Sequence, residues 1–119
     1  MKRVLIVDDI AFIRSVIKDI LLAAGFSVVG EASDGAQAIA LFKAVKPDIV
    51  LLDINMPVMD GIEALKRIKK IKKDSTIIMC SSLGDQESIV NAISLGANDF
   101  VVKPFRKERI ISAIEKAIV

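Results

Sequence analysis

The chain has 119 residues, 53% of them apolar, enough for one domain with a sizeable core and too few for two separate cores. Its net charge is only +2 and its single cysteine, Cys80, cannot form an internal disulfide, so neither a nucleic-acid partner nor a disulfide framework is expected. No apolar run reaches the ~18 residues of a membrane span, and Lys2-Arg3 leads straight into a strand-like run rather than a signal peptide, so a cytoplasmic protein with no membrane partner is expected.

Val4 to Val7 reads as a short apolar strand ending in Asp8-Asp9. Ile13, Val16, Ile17, Ile20, Leu21 and Ala24 then recur at helical spacing, and Gly25 supplies a left-handed stop with Phe26 placed to close over it. Ser27 to Ala32 reads as a second, less hydrophobic strand. Asp34-Gly35 turns the chain into a helix whose stripe is Ala38, Ile39, Phe42 and Val45 and which Pro47 ends. Ile49 to Leu52 is too short for a helix and apolar throughout, as a strand buried on both faces must be. Asp53 follows at once, so a carboxylate is held at the carboxyl end of a central strand.

Pro57 and Asp60-Gly61 interrupt regular structure, and a helix from about Ile62 to Ile71 turns Ile62, Leu65 and Ile68 inward with lysines opposite. Thr76 to Cys80 is a fourth strand ending in Ser81-Ser82. Asp85 is positioned to cap a helix carrying Ile89, Val90 and Ile93, which Gly96 terminates. Asp99 to Val102 makes a short fifth strand with Lys103-Pro104-Phe105 at its exit, and a last helix carries Ile110, Ile111, Ile114 and Ala117 or Ile118.

Five strands alternating with five helices predict an α/β fold, a doubly wound parallel sheet in a three-layer α/β/α sandwich, spanning residues 1–119 as one domain. In such sheets ligands collect beyond the carboxyl ends of the strands, beside the point where strand order reverses. The residues leaving strands one, three, four and five are Asp8-Asp9, Asp53, Ser81 and Lys103.

Three carboxylates sharing a crevice repel one another, and a hard cation relieves them; Mg2+ suits a sparse oxygen site best. Helix capping accounts for one of Asp8 and Asp9, but not for a third acid on another strand. Lys103 and Ser81 are odd company for a pure cation site, yet they are what a phosphoryl group needs. Metal, ammonium and hydroxyl together can neutralise its equatorial oxygens while a carboxylate oxygen of Asp53 attacks in line, forming an acyl phosphate. Taken singly, a strand-end lysine is usually solvated and a strand-end serine is often a turn or cap. The case rests on their joint occurrence.

An aspartate-nucleophile, metal-dependent phosphatase is the rival enzyme, but it commonly carries an acid two residues after the nucleophile, where this chain has Asn55. A flavin-binding domain of the same architecture is the second rival, but no hydroxyl- and glycine-rich loop follows the first strand. Cys80 reads as core. Six of the eight residues from Lys66 to Lys73 are basic, which reads as a solvated helix face, with an acidic partner as the alternative.

The motifs VLIVDD (4–9), DDIAFIR (8–14), GEASDGAQA (30–38), PDIVLLDINMPVMDG (47–61), CSS (80–82) and GANDFVVKPF (96–105), in that order, resemble the response-regulator receiver domains of two-component signalling, and most closely their stand-alone chemotaxis members. The resemblance covers essentially the whole chain and implies a flavodoxin-like sheet of order 2-1-3-4-5. It implies that Asp53 accepts a phosphoryl group from a histidine kinase, the chain having no histidine of its own. Asp9, Asp53 and the backbone carbonyl of Asn55 would bind Mg2+, with Asp8 acting largely through water. Ser81 and Lys103 would contact phosphoryl oxygens, with a cis bond between Lys103 and Pro104, and Phe100 would turn inward as Ser81 moves. Phe100 stands where the best-known chemotaxis regulators have tyrosine, so a partner contact through a ring hydroxyl is absent. Asn55 and Leu83 would flank the route of the hydrolytic water. Output would be a changed surface around Ile89, Phe100 and Lys116, read by a target such as a flagellar motor switch protein and reset by a phosphatase. The implied molecule is a monomer that promotes its own phosphorylation and dephosphorylation. A phosphorelay intermediate, or a receiver cut from a longer regulator, would carry the same site.

Overall fold

The computed structural model describes residues 2–82 and 86–117. Strands β1 (Arg3–Val7), β2 (Ser27–Ala32), β3 (Ile49–Asp53), β4 (Thr76–Ser82) and β5 (Asp99–Lys103) alternate with helices α1 (Ala11–Ala23), α2 (Gly35–Val45), α3 (Gly61–Ile71), α4 (Gln86–Ser94) and α5 (Lys107–Ala117). The strands pair in parallel in the order β2-β1-β3-β4-β5, as expected, so the chain direction across the sheet reverses after β2. Among the described residues no helix is long and apolar enough to cross a membrane.

Every residue of β3 is buried, and alternation sends its side chains to two separate cores. Val50 and Leu52 join Leu5, Val7, Ile77 and Met79 under α2, α3 and α4. Ile49 and Leu51 join Val4, Ile6, Ile78 and Cys80 under α1 and α5. The layers therefore lock the central strands from both sides, and the ends of those strands inherit that rigidity.

Helix termini follow local chemistry. After α1, Gly25 takes a left-handed φ of 89°, its N–H bonding Leu22 O and the Phe26 N–H bonding Leu21 O, and Gly96 repeats the pattern after α4 with a φ of 108°. Asp34 and Asp60 cap α2 and α3 by accepting from the N–H groups of Gln37 and Glu63, both at 2.9 Å. The Asp60-Gly61 break expected from sequence is thus the start of α3. At the end of α2, Lys46 itself is left-handed with φ 48°, and the Arg3 guanidinium covers the last carbonyls, 2.6 Å from Val45 O and 2.7 Å from Lys46 O.

Helix α4 buries one of the three apolar residues picked out for it from the sequence, Ile89. Val90 and Ile93 are 68% and 43% exposed, and the buried positions are Ile89 and the small Ala92. Ile89 therefore belongs to the core beneath the expected output surface, while Phe100 is half-buried and Lys116 exposed. The Asp85 cap and the Ile118 contribution to α5 lie outside the described residues.

Candidate functional site

The chain leaving β1 is pinned at Asp8, which is only 1% exposed. Its N–H donates to Ala32 O at 3.0 Å, its Oδ1 accepts from the Ile10 N–H at 2.9 Å, and its Oδ2 accepts from Lys103 Nζ at 2.6 Å. Its carbonyl accepts from Arg14 at 2.6 Å, and Arg14 is itself held by Glu31 of β2 at 3.3 Å, with Lys18 3.7 Å from the same carboxylate. These ties fix the turn that presents the exposed Asp9.

Asp53 ends β3 with 5% exposure. The next residue stays in register through an Ile54 N–H bond to Cys80 O at 3.0 Å, and Gly61 N–H donates to Ile54 O at 2.7 Å. A Cβ at Gly61 would overlap the Asp53 carbonyl, so α3 begins in contact with the strand end that carries the carboxylate. Only glycine fits there.

Sheet register brings the other strand ends to the same edge. Val7 pairs with Leu52, Asp53 with Cys80, and Ser81 and Ser82 with Val102 and Lys103. Oxygens of Asp8, Asp9 and Asp53 lie within 4.8 Å of one another, a group that could hold a metal ion. The Lys103 ammonium bridges two of the three, reaching Asp53 Oδ1 at 3.4 Å. One cation among three acids leaves negative charge uncompensated, which suits a hard divalent ion.

Burial raises the Asp53 carboxyl from 3.8 to about 6; the Lys103 charge opposes that rise and the Asp8 charge adds to it. Burial would depress the Lys103 ammonium, but its bond to Asp8 and the Asp53 charge outweigh that, and its pKa is raised. Lys103 is a fixed cation here. Burial pushes the Cys80 thiol up to about 12, so this neighbour of Asp53 is inert core, as its sequence context suggested.

Of the residues expected at the site, Asp8, Asp9, Asp53 and Lys103 come together. Ser81 is fully buried at the end of β4, and its hydroxyl has no hydrogen-bond partner among the described residues. A buried hydroxyl left in that state is costly, on the order of 1–3 kcal/mol, and the cost would be recovered by an oxygen brought within reach. Asn55 is exposed in the loop just beyond Asp53, and the Lys103-Pro104 bond is cis. Phe100 lies outside the acid cluster, packed against the α2–α4 core, with its carbonyl accepting from Arg109 at 2.6 Å and its ring lining a groove of about 520 Å³ with Val102 and Phe105. Leu83 falls outside the described residues. Sequence reasoning gave Arg14 no role at the site and read Gly61 only as part of a break in regular structure. Arg14, six residues after Asp8 on the first helix, offered a spacing signal; the approach of Gly61 to Asp53 offered none, because its partner is a backbone carbonyl.

The fold and site define a small doubly wound domain whose switch-point crevice holds three acids and a lysine. The model of the response regulator receiver domain matches residues 4–115, and the chain belongs to that family. It is 54% identical over 116 residues to the chemotaxis protein CheY of Bacillus subtilis (strain 168), covering 98% of this chain and 97% of that one. The CheY of Thermotoga maritima is 51% identical over 115 residues, covering 97% and 96%. A crystal structure of a CheX–CheY complex with BeF3 and Mg2+ from Borrelia burgdorferi superposes with a TM-score of 0.95 at 35% identity, covering 99% of this chain and 90% of that one. CheY is a standard example of a site at the switch point of such a sheet.

Proposed function

We propose that this chain is a phosphorylation-activated switch of chemotaxis signalling, in which Asp53 accepts a phosphoryl group from a histidine kinase of the CheA kind. The observation that carries this reading is the Lys103 ammonium set between two buried carboxylates, 2.6 Å from Asp8 and 3.4 Å from Asp53, with Asp9 beside them. Kinship with chemotaxis CheY proteins supports the pathway. The BeF3 and Mg2+ of the Borrelia complex support the chemistry.

Asp8, Asp9, Asp53 and the backbone carbonyl of Asn55 would hold Mg2+, which when bound supplies charge neutralisation at phosphoryl oxygens. The carboxylates fit: oxygens of Asp8, Asp9 and Asp53 lie within 4.8 Å of one another, near the ~4 Å span across an octahedral Mg2+ shell. An Asp53 oxygen attacks phosphorus in line. The O–P bond forms as the P–N bond to the kinase imidazole breaks, and the released imidazole nitrogen takes up a proton. Lys103 transfers its hydrogen bond from Asp8 to a phosphoryl oxygen, and the unpartnered Ser81 hydroxyl donates to another. Phe100 follows Ser81 inward, shifting the population toward a form whose α4, β5 and α5 surface a target such as a flagellar motor switch protein reads. Water attack on the acyl phosphate restores the carboxylate, with a phosphatase hastening it. The CheX bound to the Borrelia relative supports a protein partner for the loaded form. The molecule acts as a cytoplasmic monomer, one domain over residues 1–119, and no turnover of a separate substrate is expected.

Incubation with acetyl phosphate and Mg2+ should add one phosphoryl group to the intact mass. The adduct should be absent in Asp53→Ala and largely absent when EDTA replaces metal. A phosphoryl group that persists in D53A would refute the assignment.

A further inference from the structure

The basic run after Gly61 takes no part in the chemistry above. Helix α3 turns Ala64, Leu65 and Ile68 into the core, so its cations are set outward, and those nearest α2 border a groove of about 810 Å³. Ile39, Ile71 and Leu95 line it, and Lys43, Lys66 and Lys70 edge it. A second hollow of about 390 Å³ shares Lys43 and Ile71 and continues past Phe42 and Pro47 to Lys46 and Lys72. The two adjoin at Lys43 and Ile71, and together they are called the trough. The groove's single carboxylate, Glu63, is engaged by Arg67 at 3.5 Å, and among the described residues Lys43, Lys66 and Lys70 have no ion-pair partner.

Helix dipoles explain part of this. Lys43 stands in the last turn of α2, and Lys69 and Lys70 in the last turn of α3, where cations are favoured. Lys69 is further committed, donating to Ser75 O at 2.6 Å. Dipoles explain neither Lys66, a turn earlier, nor the 44% exposure of Ile71 between two rows of cations.

We propose that the α2–α3 trough docks an acidic peptide segment of a partner protein, with an aliphatic side chain seated on Ile39, Ile71 and Leu95 and carboxylates facing Lys43, Lys66 and Lys70. A nucleic acid fits less well, because Phe42 is the one aromatic residue lining the trough and it is buried, leaving no ring there for a base to stack on. A bilayer surface needs a broad protruding apolar face, and here Ile39 and Leu95 are half-buried, leaving Ile71 alone exposed among the groove's apolar side chains. Ile71 lies ten residues, about 15 Å, down α3 from Gly61, which touches the Asp53 carbonyl. Lys70 and Ile71 thus lie beyond the ~8 Å screening length at physiological salt, while Lys66, about 7.5 Å along, sits at its edge, so docking depends only weakly on the charge on Asp53 and works as a constitutive tether. The inference does not rest on the phosphoacceptor reading.

The test is a titration of the 15N-labelled chain with a synthetic amphipathic peptide of Glu with Leu at every fourth position. Saturable shifts should centre on α2 and the second half of α3 and weaken as salt is raised. Affinity should be nearly unchanged in D53A, fall roughly tenfold or more in K66E/K70E, where two attractions become repulsions, and survive in K66R/K70R. The α5 control K107E/K116E should bind as wild type. The proposal is overturned if the shifts do not saturate, if they centre on α4 and α5, if K66E/K70E binds equally well, or if a single-stranded DNA oligonucleotide or phosphatidylglycerol vesicles bind the trough more tightly than the peptide.

Discussion

At the scale of single residues the site is a contest between burial and pairing. Asp53 is raised to about 6 because burial outweighs the nearby ammonium, so its ionised form is the less stable one in the fold. Without metal, its contribution to stability is fully present below 3.8 and is lost as pH rises through about 6. Asp53→Asn should therefore be more stable than wild type at neutral pH, by on the order of 2 kcal/mol, with the gap closing as the solution is acidified. Saturating Mg2+ should stabilise the wild type more than D53N. Urea unfolding across that range, with EDTA and with Mg2+, checks both, and a pH-independent gap would contradict the account. Arg14 acts one step removed, holding the Asp8 carbonyl at 2.6 Å while Glu31 holds Arg14. Arg14→Met should weaken Mg2+ binding by roughly tenfold with every ligand still present. Calorimetric titration reads this directly, and unchanged affinity would reduce Arg14 to a surface contact. The three acids and the lysine were legible in the sequence because each ends a recognisable strand. That Lys103 rests closer to Asp8 than to Asp53 was not, since it depends on which carboxylate the packed loops bring nearest.

At the scale of elements, α3 is where packing and chemistry meet. Its cap at Asp60 and its contact at Gly61 make separable predictions. Asp60→Ala removes one capping bond and should lower stability by about 1 kcal/mol while leaving phosphorylation intact. Gly61→Ala drives a methyl into the Asp53 carbonyl and should cost about 2 kcal/mol or more and also slow phosphorylation, because the strand end must move. Denaturant unfolding paired with acetyl phosphate labelling separates the two, and equal labelling in both variants would mean that the contact does not position Asp53. Strands and glycine-stopped helices were readable because runs such as Ile49 to Leu52 and stops such as Gly25 act locally. The sequence placed Ile89, Val90 and Ile93 on helix α4 without assigning its inward face, which uses Ala92, because neighbours rather than hydropathy decide that Val90 and Ile93 face out. Left-handed Lys46 and Val58, with φ of 48° and 68°, left no mark in composition, since both residue types normally avoid that region.

At the scale of the whole molecule, two cores on opposite faces of one sheet hold β1, β3 and β4 rigid while their carboxyl ends meet at the strand-order reversal. Alternation of buried residues predicts that arrangement from sequence, whereas the reach of Arg3 across the sheet to the end of α2 becomes visible only once the strands are aligned. The same geometry sets the acid crevice at the start of α3 and carries the basic α2–α3 trough along that helix to Lys70 and Ile71 at its far end. The account stands on Asp53 as the acceptor and Lys103 as the group that changes partner. A crystal structure grown with Mg2+ and beryllofluoride tests it most directly. It should show beryllium bonded to an Asp53 carboxylate oxygen, the cation among Asp8, Asp9 and Asp53, and the Lys103 ammonium on a fluorine instead of at its 2.6 Å contact with Asp8. Beryllofluoride bound elsewhere, or Lys103 still on Asp8 beside a loaded Asp53, would contradict it.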